Sequence, residues 1–248
     1  MLPRFHAPAL DPSAGEVALS DEESAHLTRV LRLGPGDAVT VFDGRGTEFL
    51  AHVARVERGA VTLALDESVT PATEPSVRLA LAQAVLKAEA MDNVVRDATM
   101  MGVARIDPVI TSHVVVKESV IARGRAVERW RRIAVSSAKQ CRRATVPVVS
   151  APRRLDDWLR HPEDEVRLML VEPAAMRGGE ADMRALAARP RPSSVALLVG
   201  PEGGWTADER SAAAAAGCLP VSLGSLTLRA DAVPIVAIAV ARFIVGDL

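Results

Sequence analysis

Two glycine-bearing turns near the end of the chain hold the residues best suited to bind a small molecule. The first, GPEGGWT over residues 200–206, follows an apolar run with strand character and opens a helix. The second, LGSLTLR over residues 223–229, follows the next apolar run. Glycine lets the backbone approach a ligand closely, and parallel sheets bind ligands where their strands end. A plain strand-to-helix connection explains either turn alone, but the pair predicts two walls of one pocket.

The spacing of the glycines disfavours two common nucleotide sites. It is not Gly-x-Gly-x-x-Gly, and no Gly-Lys-Ser/Thr follows, so neither a dinucleotide-binding fold nor a P-loop is supported. Leu226 and Leu228 in the second turn can instead provide apolar walls for a flat base.

Charged side chains border both turns. Arg229 and Asp231 lie just before the apolar run Ala232–Val245, and Glu202 lies within the first turn. Asp231 is of a type that caps helices, and Arg229 can pair with Asp231 or with Glu202. Because a fixed cation in a dry pocket stabilises developing negative charge, Arg229 is also a candidate catalytic residue.

Short strands separated by turns dominate the first part of the chain. Asp43-Gly44 between the strand-like runs Ala38–Phe42 and Thr47–Val56 predicts a hairpin. With the third run, Ala60–Leu65, it indicates a small β-barrel. The polar stretch at residues 71–76 contains two prolines and is typical of a linker. We therefore expect a first domain over residues 1–70 and a second over residues 77–248.

Strands and helices alternate in the second domain, which predicts an α/β fold with a mostly parallel sheet. Pro108 limits the strand Arg105–Ile110 to an edge or an end of that sheet. Thr206 is expected to cap the helix Ala207–Ala216. Gly246 lies where the final helix, Ala232–Val245, should end.

Composition sets further bounds. The formal net charge is −1 and 49% of residues are apolar, so the chain has no global nucleic-acid signature and can bury a sizeable core. The two cysteines, Cys141 and Cys218, allow neither a disulfide framework nor zinc spacing. His52, His113 and His161 are isolated, so no metal is expected. The N-terminus lacks a signal-peptide core, and the longest apolar run is too short to span a bilayer. A reduced cytoplasmic location without membrane attachment is therefore expected.

The motifs resemble a known family. The pair GPEGGW and LGSLTLR is similar to the C-terminal signature of SPOUT-class RNA methyltransferases, and more narrowly to that of the RsmE family. The resemblance covers most of the chain. It also includes HLTRVLRLGPGD at residues 26–37 with VFDG at 41–44, MGV at 101–103 with IDP at 106–108, and SAKQCRR at 137–143 with Val146-Pro147.

The resemblance implies a PUA-like barrel followed by a trefoil-knotted α/β domain that acts as a homodimer. The implied reaction is methylation of N3 of a uridine in 16S ribosomal RNA of the 30S subunit, with S-adenosylmethionine (SAM) as donor. Arg229 would stabilise the uracil anion, and Glu202 or Asp231 would take the proton. The implied cofactor residues are Leu170, Val171, Glu172, Gly200, Pro201, Glu202, Gly203, Gly204, Leu223, Gly224, Ser225, Leu226 and Leu228.

The RNA candidates are cations. Residues 122–143 contain eight basic residues and one acid, Glu128, and Arg142 and Arg143 are expected to end a helix. Arg29 and Arg32, spaced i, i+3, are expected to share a helix face with His26 one turn earlier. A solvated face is the simpler explanation for Arg123, Arg125, Arg129, Arg131 and Arg132. The resemblance implies RNA binding by His26, Arg29, Arg32, Lys139, Gln140, Arg142 and Arg143.

Two other functions stay open. One is a methyltransferase of the same class that acts on transfer RNA or on another ribosomal RNA site. The other is a non-catalytic RNA-binding or ribosome assembly protein. The chain departs from the family pattern at Met100, Lys139 and Asp231, which leaves details of the site open.

Overall fold

A computed structural model describes residues 2–116, 124–175 and 181–248. The chain divides into two compact units. The first comprises the chain up to Glu74 together with Val135–Val146, and the second comprises Pro75–Ala134 and Pro147–Leu248.

The described part of the first unit forms a five-stranded curled sheet of the PUA-like half-barrel type, with strand order β1-β3-β4-β5-β2. The predicted hairpin is confirmed, because β3 and β4 pair antiparallel and the Asp43 carboxylate accepts from the backbone N–H groups of Arg45 (2.7 Å) and Thr47 (2.9 Å) in the turn. The strands are β1 (Arg4–His6), β2 (Glu16–Ala18), β3 (Ala38–Phe42), β4 (Glu48–Glu57) and β5 (Ala60–Ser68). Its core includes Phe5, Leu27, Val39, Val41 and Leu63.

A short helix, α1 (Asp21–Ala25), is capped by Ser20 and continues into a π-helical turn, His26–Val30. The chain then leaves the helix. Leu31 N–H bonds His26 O at 3.0 Å, and Arg32 adopts a left-handed φ of 57°. The expectation that Arg29 and Arg32 share a helix face is therefore wrong, because Arg32 lies beyond the helix end.

The first unit is discontinuous because it holds the end of α3 (Arg125–Cys141). The buried Arg4 makes a bidentate ion pair with Glu48, at 3.0 and 2.9 Å. Its guanidinium also donates to the carbonyl groups of Ala138, Lys139 and Arg143, at 3.0, 3.3 and 3.2 Å. The last turn of a helix leaves such carbonyls without partners inside the helix. Arg4 thus satisfies the end of α3 from the first strand of the sheet.

The second unit is an α/β domain with a parallel sheet, as predicted. In its described residues the strand order is β11-β13-β10-β12-β6-β7-β8, with β9 also paired to β7. The strands are β6 (Arg78–Ala84), β7 (Arg105–Ile110), β8 (Val148–Val149), β9 (Arg153–Arg154), β10 (Val166–Leu170), β11 (Ala181–Asp182), β12 (Ser194–Val199) and β13 (Leu219–Ser222). The helices are α2 (Glu89–Met100), α3 up to Ala134, α4 (Leu155–Arg160), α5 (Arg184–Ala187), α6 (Ala207–Ala215) and α7 (Val233–Val245), with a 3-10 turn at Pro173–Ala175.

The position of Pro108 corrects one prediction. Its strand, β7, lies inside the sheet between β6 and β8, so it is not an edge strand. β7 pairs with β8 at Arg105 and Ile106 and with β9 at Val109 and Ile110. Pro108 falls between these two short pairings, where its missing N–H is tolerated.

The helix ends follow the sequence signals closely. Thr206 caps α6 in a capping box with Glu209, and Gly246 ends α7 in the left-handed conformation. One helix end differs: α3 ends at Cys141 and Arg142 follows with a left-handed φ of 67°, so the expectation that Arg142 and Arg143 end this helix is wrong. Throughout the three described ranges, no helix is both long and apolar enough to cross a membrane.

Candidate active site

Three loops meet at one edge of the parallel sheet. The strands β13, β10 and β12 are neighbours in that order, so the loops at their carboxyl ends lie side by side. Residues 170–173, 199–202, 204, 205, 223 and 226–231 from these loops line a cleft of about 280 Å³. Leu86 and Ala90, which follow β6, complete its lining together with Val233. The two glycine turns therefore form walls of one pocket, as predicted, with the β10 loop between them.

The first turn is tightly built. Gly204 N–H bonds Pro201 O at 3.0 Å, and Gly204 has a φ of +67° that favours glycine. A Cβ on Gly204 would lie 3.2 Å from the Glu172 carboxylate, and a Cβ on Gly200 would lie 3.0 Å from the indole of Trp205. Side chains at these two positions would therefore displace the walls of the cleft.

Trp205 packs against Gly200 within the first glycine turn. Its indole N–H donates to Leu170 O at 2.8 Å, which joins the turn after β12 to the end of β10. Gln83, fully buried at the end of β6, donates to Ala84 O at 2.9 Å and to Gly200 O at 3.4 Å. The turn is thus held from both neighbouring strands.

Arg229 and Asp231 form a bidentate ion pair at 3.1 and 3.0 Å on the cleft wall. The Arg229 side chain is 84% exposed, whereas that of Asp231 is 26% exposed. The possible capping role of Asp231 is wrong, because Ala232 is the N-cap of α7 and makes no side-chain cap hydrogen bond. The alternative pairing of Arg229 with Asp231 is confirmed.

Most of the residues expected to bind the cofactor line the cleft. Three do not: Gly203, Gly224 and Ser225 lie outside the lining. Those in the lining are Leu170, Val171, Glu172, Gly200, Pro201, Glu202, Gly204, Leu223, Leu226 and Leu228. Leu86 and Ala90 also line the cleft and were not predicted to do so, because nothing in the local sequence pattern indicates that β6 neighbours β12.

The chemical character of the cleft fits SAM. Leucine side chains from the β10 and β13 loops offer apolar walls for a flat base. Among the described residues, the lining also holds three carboxylates, Glu172, Glu202 and Asp231, against one cation, Arg229. An excess of negative charge suits a ligand that carries a sulfonium cation.

The cations expected to bind RNA fall into two groups in the first unit. Arg29, Arg32, Gln140 and Arg142 are exposed, and the half-buried His26 packs edge-on against Phe5. Lys139 instead pairs with Glu23 at 2.7 Å, and both side chains are largely buried. The buried Arg143 pairs with Glu74 at 2.6 Å.

The arginines on the first part of α3 belong to the second unit. Arg125, Arg129, Arg131 and Arg132 are exposed, in line with a solvated face. Arg129 pairs with Asp92, and Arg131 donates to Val149 O at 3.2 Å. Arg123 lies outside the described residues.

The histidines have separate local partners. His52 pairs with Asp66 at 2.8 Å, and His161 Nδ1 bonds Asp157 O at 2.9 Å. His113 contacts the first glycine turn. Within the part of the chain that the structure describes, no group of histidine, cysteine and acidic residues is arranged to hold a metal ion.

Both units of the chain match known protein families. Residues 73–242 match the RNA methyltransferase domain family, and residues 19–66 match the RNA methyltransferase PUA domain family. A ribosomal RNA small subunit methyltransferase E from Synechocystis sp. is 34% identical over 90% of this chain and 71% of its own length. The protein of that name from Mycobacterium tuberculosis is 30% identical over 92% of this chain and 86% of its own length.

A solved structure is similar to this protein over nearly the whole chain. The crystal structure of a ribosomal RNA small subunit methyltransferase E from Neisseria gonorrhoeae, bound to S-adenosyl methionine, is 29% identical. It superimposes with a TM-score of 0.84 and covers 98% of each chain.

The two family matches, which fall on a parallel α/β domain with a cleft at its strand ends and on a PUA-like domain, place the protein in the class of RNA methyltransferases. Within that class, the chain belongs to the ribosomal RNA small subunit methyltransferase E family, which confirms the resemblance to RsmE.

Proposed function

We propose that this protein transfers a methyl group from SAM to N3 of a uridine in 16S ribosomal RNA. The observation that carries this proposal is the convergence of the three loops on one cleft whose walls are apolar and whose charge is negative. Family membership supports the reaction class, and the relatives' names support ribosomal RNA of the small subunit as substrate. When bound, SAM would supply an electrophilic methyl group on a sulfonium.

We propose that the cleft residues already named form the cofactor site. Gly203, Gly224 and Ser225 would shape the two turns. Leu170, Leu223 and Leu228 would hold the base, and the carboxylates would face the cationic part. Leu226 is 78% exposed, so a substrate base that enters the cleft mouth can bury it.

Arg229 would stabilise the uracil anion. Methyl transfer to N3 requires loss of the N3 proton, and a guanidinium beside the ring favours the resulting negative charge. Asp231 fixes the orientation of Arg229 by accepting two hydrogen bonds from it. Alignment of the nitrogen with the methyl group is the other contribution of the site.

Glu202 is the better candidate for the proton acceptor. The Asp231 carboxylate is engaged by Arg229 through both oxygens, whereas Glu202 is exposed at the cleft and receives a weak 3.5 Å contact from Lys87 N–H. A carboxylate whose two oxygens both accept from a guanidinium has fewer lone pairs left for the substrate's proton. We therefore assign proton removal to Glu202 and positioning of Arg229 to Asp231.

We propose residues 1–70 as an RNA-binding domain, 71–76 as a linker and 77–248 as the catalytic, knotted domain. The exposed Arg29, Arg32 and Arg142 would contact phosphates, with His26 and Gln140 beside them. Lys139 and Arg143 are engaged in buried ion pairs, so we propose that they support this surface and do not touch RNA.

The outer face of α7 supports a homodimer. Ile235, Val236 and Phe243 are exposed along this apolar helix, and Phe243 is 76% exposed. A row of exposed apolar side chains on one helix marks an interaction surface. A cytoplasmic dimer that acts on the 30S subunit is therefore part of the proposal.

Methyl transfer to 16S RNA tests the proposal directly. Labelled methyl incorporation would be followed in assembled 30S particles and in free 16S RNA, with nucleoside mass spectrometry of the product. Arg229→Ala should lose turnover but keep SAM binding by calorimetry, since Arg229 is assigned to the anion. Methylated product in transfer RNA or at another ribosomal site would favour the second candidate function, and absence of SAM binding would favour a non-catalytic protein.

A further inference from the structure

The loop after β7, residues 111–116, meets the back of the first glycine turn. We propose that His113 in this loop is a positioning residue for the cofactor turn. This inference rests on the proposed function, because it assumes that residues 200–205 bind SAM.

The contacts of His113 are direct. Its Nδ1 lies 2.9 Å from Gly203 O and 3.1 Å from Gly204 O. Carbonyl oxygens only accept hydrogen bonds, so Nδ1 carries the proton and donates to both. A Cβ on Gly203 would lie 2.9 Å from His113 Cβ, so the loop and the turn are in close contact.

His113 contacts the turn but does not line the cleft. Glu202 and Gly204 line the cleft, whereas Gly203 and His113 do not. The histidine therefore holds the turn without occupying the ligand space. Binding groups that are fixed before the ligand arrives lose less conformational entropy on binding.

Ser112, the residue before His113, takes part in a second contact that holds the turn. The Glu209 carboxylate accepts from Ser112 N–H at 2.7 Å and from Thr206 N–H at 2.9 Å. The neighbouring residues Ser112 and His113 thus hold the turn at two places, Thr206 and Gly203–Gly204. On the opposite side, Trp205 attaches the same turn to Leu170.

Loss of the His113 contact should loosen the turn and weaken SAM binding. The net contribution of one hydrogen bond corresponds to an increase in Kd of about three- to tenfold. The effect should appear in the Kd and KM for SAM, with a smaller change in kcat, because His113 touches neither the reacting atoms nor the RNA site.

Calorimetry with SAM on the full-length protein tests this, using His113→Ala and His113→Asn. The asparagine amide can donate from the position of Nδ1, so His113→Asn should restore most of the affinity that His113→Ala loses. His161→Ala is the control, because His161 Nδ1 also bonds a backbone carbonyl, Asp157 O, and this carbonyl is far from the glycine turns in sequence and outside the cleft lining. Amide hydrogen exchange of residues 200–206 should rise in His113→Ala and not in His161→Ala.

The outcomes separate this inference from the proposed function. A wild-type protein that does not bind SAM overturns both. Wild-type binding with an unchanged Kd in His113→Ala overturns the role of His113 alone. Equal weakening in His113→Ala and His113→Asn also overturns it, because the hydrogen bond would then carry none of the effect.

Discussion

The indole N–H of Trp205 donates to the backbone carbonyl of Leu170 at 2.8 Å, and the same ring covers Gly200. One side chain thus connects the turn after β12 to the last residue of β10. These two strands are neighbours in the sheet, and the cleft opens beyond their ends. Trp205 is therefore one of the contacts that set the separation between these two walls of the cleft.

Substitution of this tryptophan should affect both stability and cofactor binding. Trp205→Phe keeps most of the ring but leaves Leu170 O without its donor, which should cost about 2 kcal/mol. We expect SAM affinity to fall several-fold in Trp205→Phe and further in Trp205→Ala. Calorimetry and thermal unfolding measure the two effects. Trp158→Phe, which removes a hydrogen bond to Asp107 outside the cleft, should lower Tm without changing SAM affinity.

Local patterns predicted the walls of the site but not their arrangement. Glycines after apolar runs identified the turns at Gly200 and Gly224, because the tendency to form a turn depends on residues that are neighbours in sequence. The insertion of β10 between β12 and β13 depends on strand order, which periodicity does not encode. The β10 loop with Glu172 therefore entered the prediction through family resemblance alone.

Long-range contacts account for the other differences. Arg4 reaches the end of α3 across more than a hundred residues, and no spacing rule connects them. Pro108 is tolerated inside the sheet because its outer neighbour is interrupted at that residue. Lys139 and Arg143 were expected to bind RNA because they lie in a basic segment of the sequence. In the structure they form ion pairs with Glu23 and Glu74, which are distant in sequence.

A buried carboxylate should make the second unit sensitive to acid. Burial raises the pKa of Asp107, but hydrogen bonds and charge from Ser150, Arg105 and Trp158 outweigh it and lower the pKa below the usual value. Because the folded-state pKa is depressed, the stabilisation is present above about pH 4 and is lost as pH falls through the folded-state pKa.

Asp107→Asn should remove most of this effect. The substitution removes the buried charge of Asp107 and with it the Arg105–Asp107 ion pair. This loss should destabilise the protein by about 3 kcal/mol at neutral pH. Urea unfolding at pH 7 and at several pH values below about 4 measures the difference, which should shrink as the pH falls through the folded-state pKa of Asp107. Glu165→Gln, which changes an exposed carboxylate bonded to Ser193, should have little effect. A variant as stable as the wild type would contradict the assigned network.

A strained alanine beside the cleft offers a stabilising substitution. Ala88 precedes α2 with φ 43° and ψ −124°, a conformation that favours glycine. Relief of this strain should exceed the entropy that glycine adds to the unfolded chain, so Ala88→Gly should stabilise the protein by about 1 kcal/mol. Thermal unfolding checks the sign. Ala212→Gly, within α6, should instead destabilise it by about 1 kcal/mol, and a loss of stability in both variants would show that Ala88 is not strained.

The division of roles between Glu202 and Asp231 predicts different pH profiles. If Glu202 takes the N3 proton, Glu202→Gln should lower the single-turnover rate by about 10²- to 10⁴-fold at neutral pH, and the rate should rise with pH as the uracil ionises without help. Asp231→Asn keeps a hydrogen-bond acceptor for Arg229, so its loss should be smaller and should keep the wild-type pH profile. SAM affinity, measured separately, shows whether either change acts through cofactor binding. If Asp231→Asn instead loses more of the single-turnover rate than Glu202→Gln, and its rate rises steeply with pH, Asp231 is the residue that removes the N3 proton. Glu202 would then be only part of the cofactor wall.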